Sequence, residues 1–408
     1  MTATVLLLWA CLAAGVLADE AFVGAAANGS LLLQPAHGQQ VLVDGVVFRS
    51  LVEAVSRQQD TAAALQQHVD SLKGQLERLR CPLVADTTSI TSLPGNERWA
   101  GGVLAPNGKI YGIPVDSGSV LIINPATNNA DVTTITGFST QNKWEGGVLA
   151  PNGKIYGIPR DAQTVLIIDP ATNRVDATAI TVPSGASKWG RGLLARNGKI
   201  YGIPRAAASV LIIDPATNTS DTTTIGGLGS GPYKWAGGVL APNNKIYGIP
   251  DISRAVLIVD PDTNTADTST ITNVGTGASD WSGAVVAGNG KIYCAPRSSS
   301  SVLIIDPATN TVDVTTIADV NDVGTRSWVG AVLAADGKVY AIPYDSTAVL
   351  VVDPATNTAE RTTITGLPAT LDKWAGGVLA TNGMIYAIPF NSPAVLIIKR
   401  SNCQGLGI

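Results

Sequence analysis

From residue 99 onward the chain alternates small, mixed, apolar and polar runs on a fixed beat. Residues 144–180, WEGGVLAPNGKIYGIPRDAQTVLIIDPATNRVDATAI, show one cycle. Gly146–Ala150 is a run of small residues, suited to a strand whose backbone is approached closely. Asn152-Gly153 then marks a hairpin, and a type I′ turn is expected there, with φ > 0 at both central residues. Lys154–Pro159 predicts a second strand. Val165–Ile168 is apolar throughout, as a strand covered on both faces must be. Asp169-Pro170-Ala171-Thr172-Asn173 reads as a turn, in which Asp accepts local backbone bonds and Pro presets φ. Asp176–Thr181 is polar and rich in β-prone Thr, which predicts an outer edge strand.

The cycle repeats seven times. Its Trp stands at 99, 144, 189, 235, 281, 328 and 374, with spacings of 45, 45, 46, 46, 47 and 46, and a Tyr follows each Trp by 12 residues. Four strands recurring at this interval predict the blades of a propeller. The expected fold class is therefore all-β, a seven-bladed β-propeller. The last cycle ends at Ile397-Ile398-Lys399 without a Thr-rich segment. The missing piece precedes the first cycle as Asp86-Thr87-Thr88-Ser89-Ile90-Thr91, which matches Asp131–Thr136. This N-terminal strand is expected to complete the seventh blade and leave no sheet edge free. An open β-solenoid would have no use for a permuted strand.

Aligned on the intact turn at 169–175, Cys403 falls at the place of Asn173 and Cys81 near that of Ala171. Cα atoms so placed fall within the roughly 4.4–6.8 Å that a disulfide needs, so a Cys81–Cys403 bridge stapling the closure is expected. Cys294 stands where Gly112, Gly157, Gly202 and Gly248 stand in other cycles, and reads as a buried, inert thiol.

The text GVLAPNGKIYGIP, followed after a short gap by VLIIDPATNT and a TTI run, resembles the YVTN family of β-propeller repeats over residues 85–400. That family pairs a GVAVSPDGKRVY-like hairpin with a VSVIDTATNTV-like one. The chain departs from it in carrying Gly-Ile-Pro where the family's name motif would stand, and in the added Trp-x-Gly-Gly. The resemblance implies an extracellular or envelope protein with a binding or structural role, and related propellers also include enzymes.

The segment ahead of the propeller has its own organisation. Val5–Val16 is a short apolar run that ends in Val16-Leu17-Ala18, which reads as a signal peptide over residues 1–18 and predicts a secreted, extracellular protein. No later stretch reaches 18 apolar residues, so no membrane span is expected. Asn28-Gly29-Ser30 and Asn218-Thr219-Ser220 are glycosylation sequons. Within 19–50, residues 29–48 alternate into two short strands, a small β collar. Leu51, Val55, Gln58, Ala62, Leu65, Val69, Leu72, Leu76 and Leu79 alternate spacings of four and three, a heptad seam over 51–80. An α-helical coiled-coil stalk is expected there, making the protein its own partner as a homo-oligomer, dimer or trimer. The propeller is then placed at 81–403.

Composition narrows the chemistry. A net charge of −4 and a pI near 5.2 argue against a nucleic-acid partner, whose phosphates call for a basic face. The only His residues, His37 and His68, precede the propeller, so no His-based triad or zinc centre is expected in it. The Asp residues at 169, 214, 260, 306 and 353 occupy equivalent turns around the ring and cannot converge on one metal. No cofactor, metal or catalytic residue is assigned. A propeller lyase or lactonase would have to rely on axial carboxylates such as Glu145.

The copies themselves show where specific contacts sit. In a blade the first and third turns lie on one face and the second and fourth on the other. The first-face turns barely change from copy to copy, which suggests folding chemistry. The opposite loops diverge, with Arg160, Arg205, Asp251, Arg297, Tyr344 and Phe390 following the strand-two Pro. Arg98, Lys143, Lys188, Lys234 and Lys373 each precede a repeat Trp, although Asp280 and Ser327 interrupt that ring. Two readings stand for these cations. Together they form a cationic, aromatic-rimmed mouth for an anionic ligand, an acidic glycan or an extracellular protein. Alternatively each Lys or Arg only covers its Trp edge. The function expected is a secreted, oligomeric binding or adhesion module, with a structural subunit of a fibre or surface coat as the alternative.

Overall fold

A computed structural model describes residues 81–401 apart from 95–97, 140 and 321–325, together with a helix at 57–69 and four short strands between 22 and 47. Contacts divide the chain into two units, Met1–Cys81 and Pro82–Ile408.

In the first unit Phe22–Ala25 pairs antiparallel with Leu31–Gln34, and Leu42–Val43 pairs with Val46–Val47. The helix carries Gln58, Ala62, Leu65 and Val69 of the expected seam, with Leu65 and Val69 exposed. At 13 residues it spans about two heptads, so a four-heptad stalk is not supported. The rest of that seam, the signal segment, Asn28 and Cys403 lie outside the described residues.

The second unit is seven four-stranded antiparallel sheets. The second blade is typical: Trp144–Leu149, Ile155–Pro159, Leu166–Asp169 and Arg174–Asp176 lie side by side in chain order. The seventh takes Trp374–Leu379, Ile385–Pro389 and Leu396–Arg400, then Leu83–Asp86 from the other end of the chain. Ile397 stands opposite Asp86 and Arg400 opposite Leu83. The closing strand is present, but it ends at Asp86 rather than beginning there.

The same shift recurs in every blade, and in six of them, all but the sixth with its Glu360, the cause is the Asp side chain. Asp176 Oδ1 accepts the backbone N–H of Thr178 at 2.7 Å and of Ala179 at 3.0 Å, which turns the chain out of the sheet. A short Asp side chain competes with the ladder for backbone donors, and here it wins over the β-propensity of the following Thr run. The expected outer strand at 176–181 is therefore a strand at 174–176 followed by an Asp-capped turn.

The inner hairpin also differs from expectation. Gly153 has φ 77° but Asn152 is not in the left-handed region. Gly153 N donates to Ala150 O at 3.0 Å, and Ala150 N to Lys154 O at 2.9 Å. This is a three-residue loop, a type I turn closed by a left-handed Gly, in place of type I′.

The uniform turns rivet neighbouring blades. Asn173 sits at φ 54° and its Oδ1 accepts the Tyr111 hydroxyl of the preceding blade at 2.8 Å, while Asn107 Nδ2 donates to Pro170 O at 2.8 Å. Equivalent bonds join Tyr247 to Asn310 at 2.6 Å and Tyr386 to Asn128 at 2.8 Å. At the split seventh blade Tyr340 donates instead to Asp336 at 2.9 Å within its own blade. Each repeat Trp is buried, and its Nε1 donates to the carbonyl 20 residues on, as Trp328 does to Ala348 O at 2.9 Å. Between blades, a Cβ on Gly147 would stand 2.8 Å from Ile113 Cδ1, so that glycine is required by the packing.

Candidate functional site

The first strands of adjacent blades pack around the axis. Their third residue is Gly in six blades, at 101, 146, 237, 283, 330 and 376, all with positive φ. A Cβ on Gly283 would reach Gly330 Cα at 2.5 Å, so the ring closes on backbone and admits no side chain there. The third blade breaks the rule with Arg191, at φ 29°. Its guanidinium crosses the axis: Nη1 stands 3.2 Å from a Cβ built on Gly283 and 3.4 Å from one on Gly330, and Nη2 stands 3.8 Å from one on Gly376.

Arg191 borders two cavities. One, about 160 Å³, is lined otherwise by Gly and Ala of the first strands. The other, about 340 Å³, opens at the divergent loops. Arg160, Arg205, Asp251, Arg297, Tyr344 and Phe390 all line this larger cavity, as the divergence of the copies implied.

Glu145 is the hub of the charged side. Its Oε2 accepts from Arg205 Nη1 at 3.0 Å and faces Arg160 Nη1 at 3.5 Å. Burial opposes its ionisation, but Arg205, Arg160, Arg191 and Arg297 outweigh burial and hold the carboxyl below its ordinary range. Burial pushes Asp251 the other way, above its ordinary range, despite Arg297 and Arg205. Those two arginines stand 3.8 and 3.9 Å from the Asp251 carboxylate, too far for a hydrogen bond. The Nε atoms of Arg160, Arg191, Arg205 and Arg297 are buried without a hydrogen-bond partner. Across the cavity as a whole, six guanidinium groups face three carboxylates.

The lysines lie elsewhere. Lys143, Lys188 and Lys373 are buried, and these three and Lys234 are spent on backbone carbonyls. Lys143 Nζ donates to Val115 O at 3.1 Å, Lys188 to Ala162 O at 2.9 Å, Lys234 to Ala207 O at 2.9 Å and Lys373 to Thr370 O at 2.9 Å. The last three also stand 5.7–5.8 Å over the ring of the Trp that follows. Burial lowers Lys373 to about 8. The ring of lysines thus braces loops and Trp faces and contributes nothing to the cavity wall. Arg98 alone of the pre-Trp cations reaches it, bonded to Asp116 at 3.3 Å and 5.2 Å above Phe390.

Arg191, Arg326 and Tyr233 are cavity residues that the copy-by-copy reading missed. Arg326 pairs with Asp372 at 2.6 Å and lies over Tyr344, and Tyr233 lies under Arg205. Arg191 had a signal, being the one cation in a column of glycines. Arg326 and Tyr233 sit in loops of unequal length and had none. Of the other candidates, Asn218 is exposed with its Oδ1 bonded to Tyr156 at 3.1 Å. Cys81 is buried, and Ser401 N donates to Pro82 O at 2.9 Å beside it. Cys294 is free and buried in the core, its thiol pushed up by burial. Among the described residues no cluster of His, Cys, Asp and Glu could hold a metal, and no helix is long and apolar enough to cross a membrane.

No protein-family model matches the chain, and no curated protein matches its sequence. Solved structures match its fold. A streptogramin B lyase superposes with a TM-score of 0.61 at 11% identity, over 78% of this chain and 98% of that one. Virginiamycin B lyase from Staphylococcus aureus gives 0.62 at 9% identity, over 78% and 99%. The extracellular domain of a protein described as a one-component system from B. thetaiotaomicron gives 0.58 at 7% identity, over 79% of this chain and 44% of that one. Identities this low establish the propeller fold and nothing finer. Kinship with YVTN repeats rests on the repeat text alone.

Proposed function

We propose that the chain is an extracellular binding module whose ligand carries an anionic group and seats in the axial cavity of the divergent face. One observation carries this reading: Arg160, Arg191, Arg205 and Arg297 converge on a single opening against Glu145 and Asp251, while Arg98 and Arg326 there are paired with Asp116 and with Asp372 and Asp345, and the opposite face is spent on inter-blade rivets. The surplus cations draw an anion in, and partial exclusion of water strengthens the contact. That a propeller of this shape forms part of the extracellular domain of a B. thetaiotaomicron protein described as a one-component system supports the setting. Secretion through residues 1–18, a Cys81–Cys403 staple and descent from YVTN-type repeats belong to the same proposal. Self-association would add avidity to weak contacts.

A lyase is the second reading, favoured by two fold neighbours. A histidine-to-alanine form of the S. aureus enzyme, solved with quinupristin, is described as catalytically inactive. This propeller holds no His at all, so that chemistry has no residue to use here. A structural subunit would need no cavity of this charge.

The test is binding of the purified full-length protein to an array of acidic and neutral glycans and small organic acids, at low and high salt. Binding to acids that weakens with salt and is lost in Arg297→Ala is expected. Silence across the array at high protein density would overturn the reading in favour of a structural subunit.

A further inference from the structure

The axial cavity is not uniformly charged, and its division identifies the ligand class; this inference rests on the binding reading above. Blades two to five supply Glu145, Arg160, Arg191, Arg205, Asp251 and Arg297. Blades six, seven and one supply an apolar cluster in which Val329, Tyr344 and Ala375 pack with Ala100 and Val115, with Phe390 against them. Tyr344 and Phe390 lie 5.7 Å apart between ring centroids and form a continuous aromatic surface. One arc carries arginines with no close carboxylate of their own, and the facing arc is aromatic, with Arg98 over Phe390 and Arg326 over Tyr344, each already paired with carboxylates at Asp116 and at Asp372 and Asp345.

The cationic wall has capacity for one more anion. Glu145 occupies Arg205 and Arg160. Arg297 meets a carboxylate only at 3.8 Å, on Asp251. Each guanidinium carries five N–H donors, and among the described residues neither Arg297 nor Arg191, both lining the cavity, has a carboxylate oxygen at hydrogen-bond distance. A planar oxyanion accepts such donors in pairs. The aromatic wall in turn rewards a flat apolar body. At about 340 Å³ the cavity is at the small end of ligand sites, room for one compact molecule and not for a chain of sugars.

We infer that the ligand is a compact aromatic oxyanion, its anionic head on Arg297 and Arg191 and its ring on Tyr344 and Phe390. The class is narrower than the acidic glycans considered from sequence, and it predicts that charge and aromatic body are both required.

The experiment is calorimetric titration of the full chain with phenylacetate, its neutral analogue phenylacetamide, glucuronate and inorganic phosphate. Phenylacetate is expected to bind at least tenfold more tightly than the other three. Arg297→Gln should weaken phenylacetate at least tenfold. Phe390→Leu, which keeps the site apolar, should weaken phenylacetate severalfold and leave glucuronate unchanged. Glucuronate or phosphate binding as well as phenylacetate would overturn the aromatic assignment while leaving the anion-binding reading in place. Phenylacetamide matching phenylacetate would overturn the role of charge. No binding by any acid at millimolar concentration would overturn both.

Discussion

Arg191→Gly replaces the one axial side chain by the residue that six other blades carry, and the outcome separates what the fold prefers from what the site requires. Arg191 is held at φ 29°, in the region that costs a non-glycine residue about 1–2 kcal/mol. Burial disfavours its charged form, Glu145 favours it, and Arg205 and Arg297 oppose it again, leaving it below its ordinary range. Releasing an ordered Arg side chain returns up to about 2 kcal/mol of rotamer entropy. Against these gains stand the attraction to Glu145, the packing of the side-chain stem, and about 0.5–1 kcal/mol for the freer unfolded glycine. The space left is lined by Gly backbone and guanidinium groups, so water fills it without the penalty of a dry apolar cavity. The balance is a variant as stable as the parent or more stable by about 1–2 kcal/mol. With an unfolding entropy of about 2.1 cal/mol/K per residue, that is a rise of roughly 1–3 °C in the melting midpoint of a propeller of this length. Calorimetry on both proteins at low and moderate salt reads the shift, and anion titration on the same samples should show weaker binding. A midpoint lowered by 5 °C or more would refute the reasoning and make Arg191 a structural pin of the axis.

Other expectations concern the frame. Trp328→Phe removes a buried N–H bonded to Ala348 O and some ring volume, and should cost about 2–4 kcal/mol. Urea midpoints at constant m-value read it, and a loss under 1 kcal/mol would contradict the Trp's bracing role. The Thr hydroxyls three residues on, with nearby backbone N–H groups, hold Asp221, Asp267 and Asp313 at about 2, below their ordinary 3.8. Their folded-state values are depressed, so this contribution is full above about pH 4 and lost as pH falls toward 2. Urea midpoints between pH 5 and 2.5 should fall and should flatten when all three are Asn; parallel profiles would reject the assignment. Cys81→Ser should lower stability by about 2–4 kcal/mol without altering Cys294, and a non-reduced digest should contain a linked 81/403 peptide, whose absence would sink the staple.

The repeat made the blade count and the ring closure legible, because Trp, Tyr, Asn-Gly and Asp-Pro recur at fixed offsets and the odd strand before residue 99 has one vacancy to fill. The register of the outer strand was not legible. Thr in sequence reads as β-prone, while the competing reach of Asp176 to Thr178 and Ala179 shows only in three dimensions. The lysines were legible in part: Lys188, Lys234 and Lys373 stand over the Trp that follows, one of the two arrangements left open by the sequence, yet the carbonyls that also hold Lys188 and Lys234 come from loops whose approach no spacing encodes. The cavity was half legible. Arg160, Arg205, Arg297, Tyr344 and Phe390 stood out as departures at one repeat position, and the same comparison made two residues after each Trp exposes Arg191. That the charged and aromatic departures fall in separate arcs follows from blade order alone.

The central claim is that ligand binds in the axial cavity between the arginine and aromatic walls. A crystal structure of the protein equilibrated with the tightest-binding acid from the titration tests it directly. The account predicts density within about 3 Å of the Arg297 guanidinium, with the organic body against Tyr344 and Phe390. Density on the face of the Asn-Gly and Asp-Pro turns, with the cavity holding only water, would contradict it.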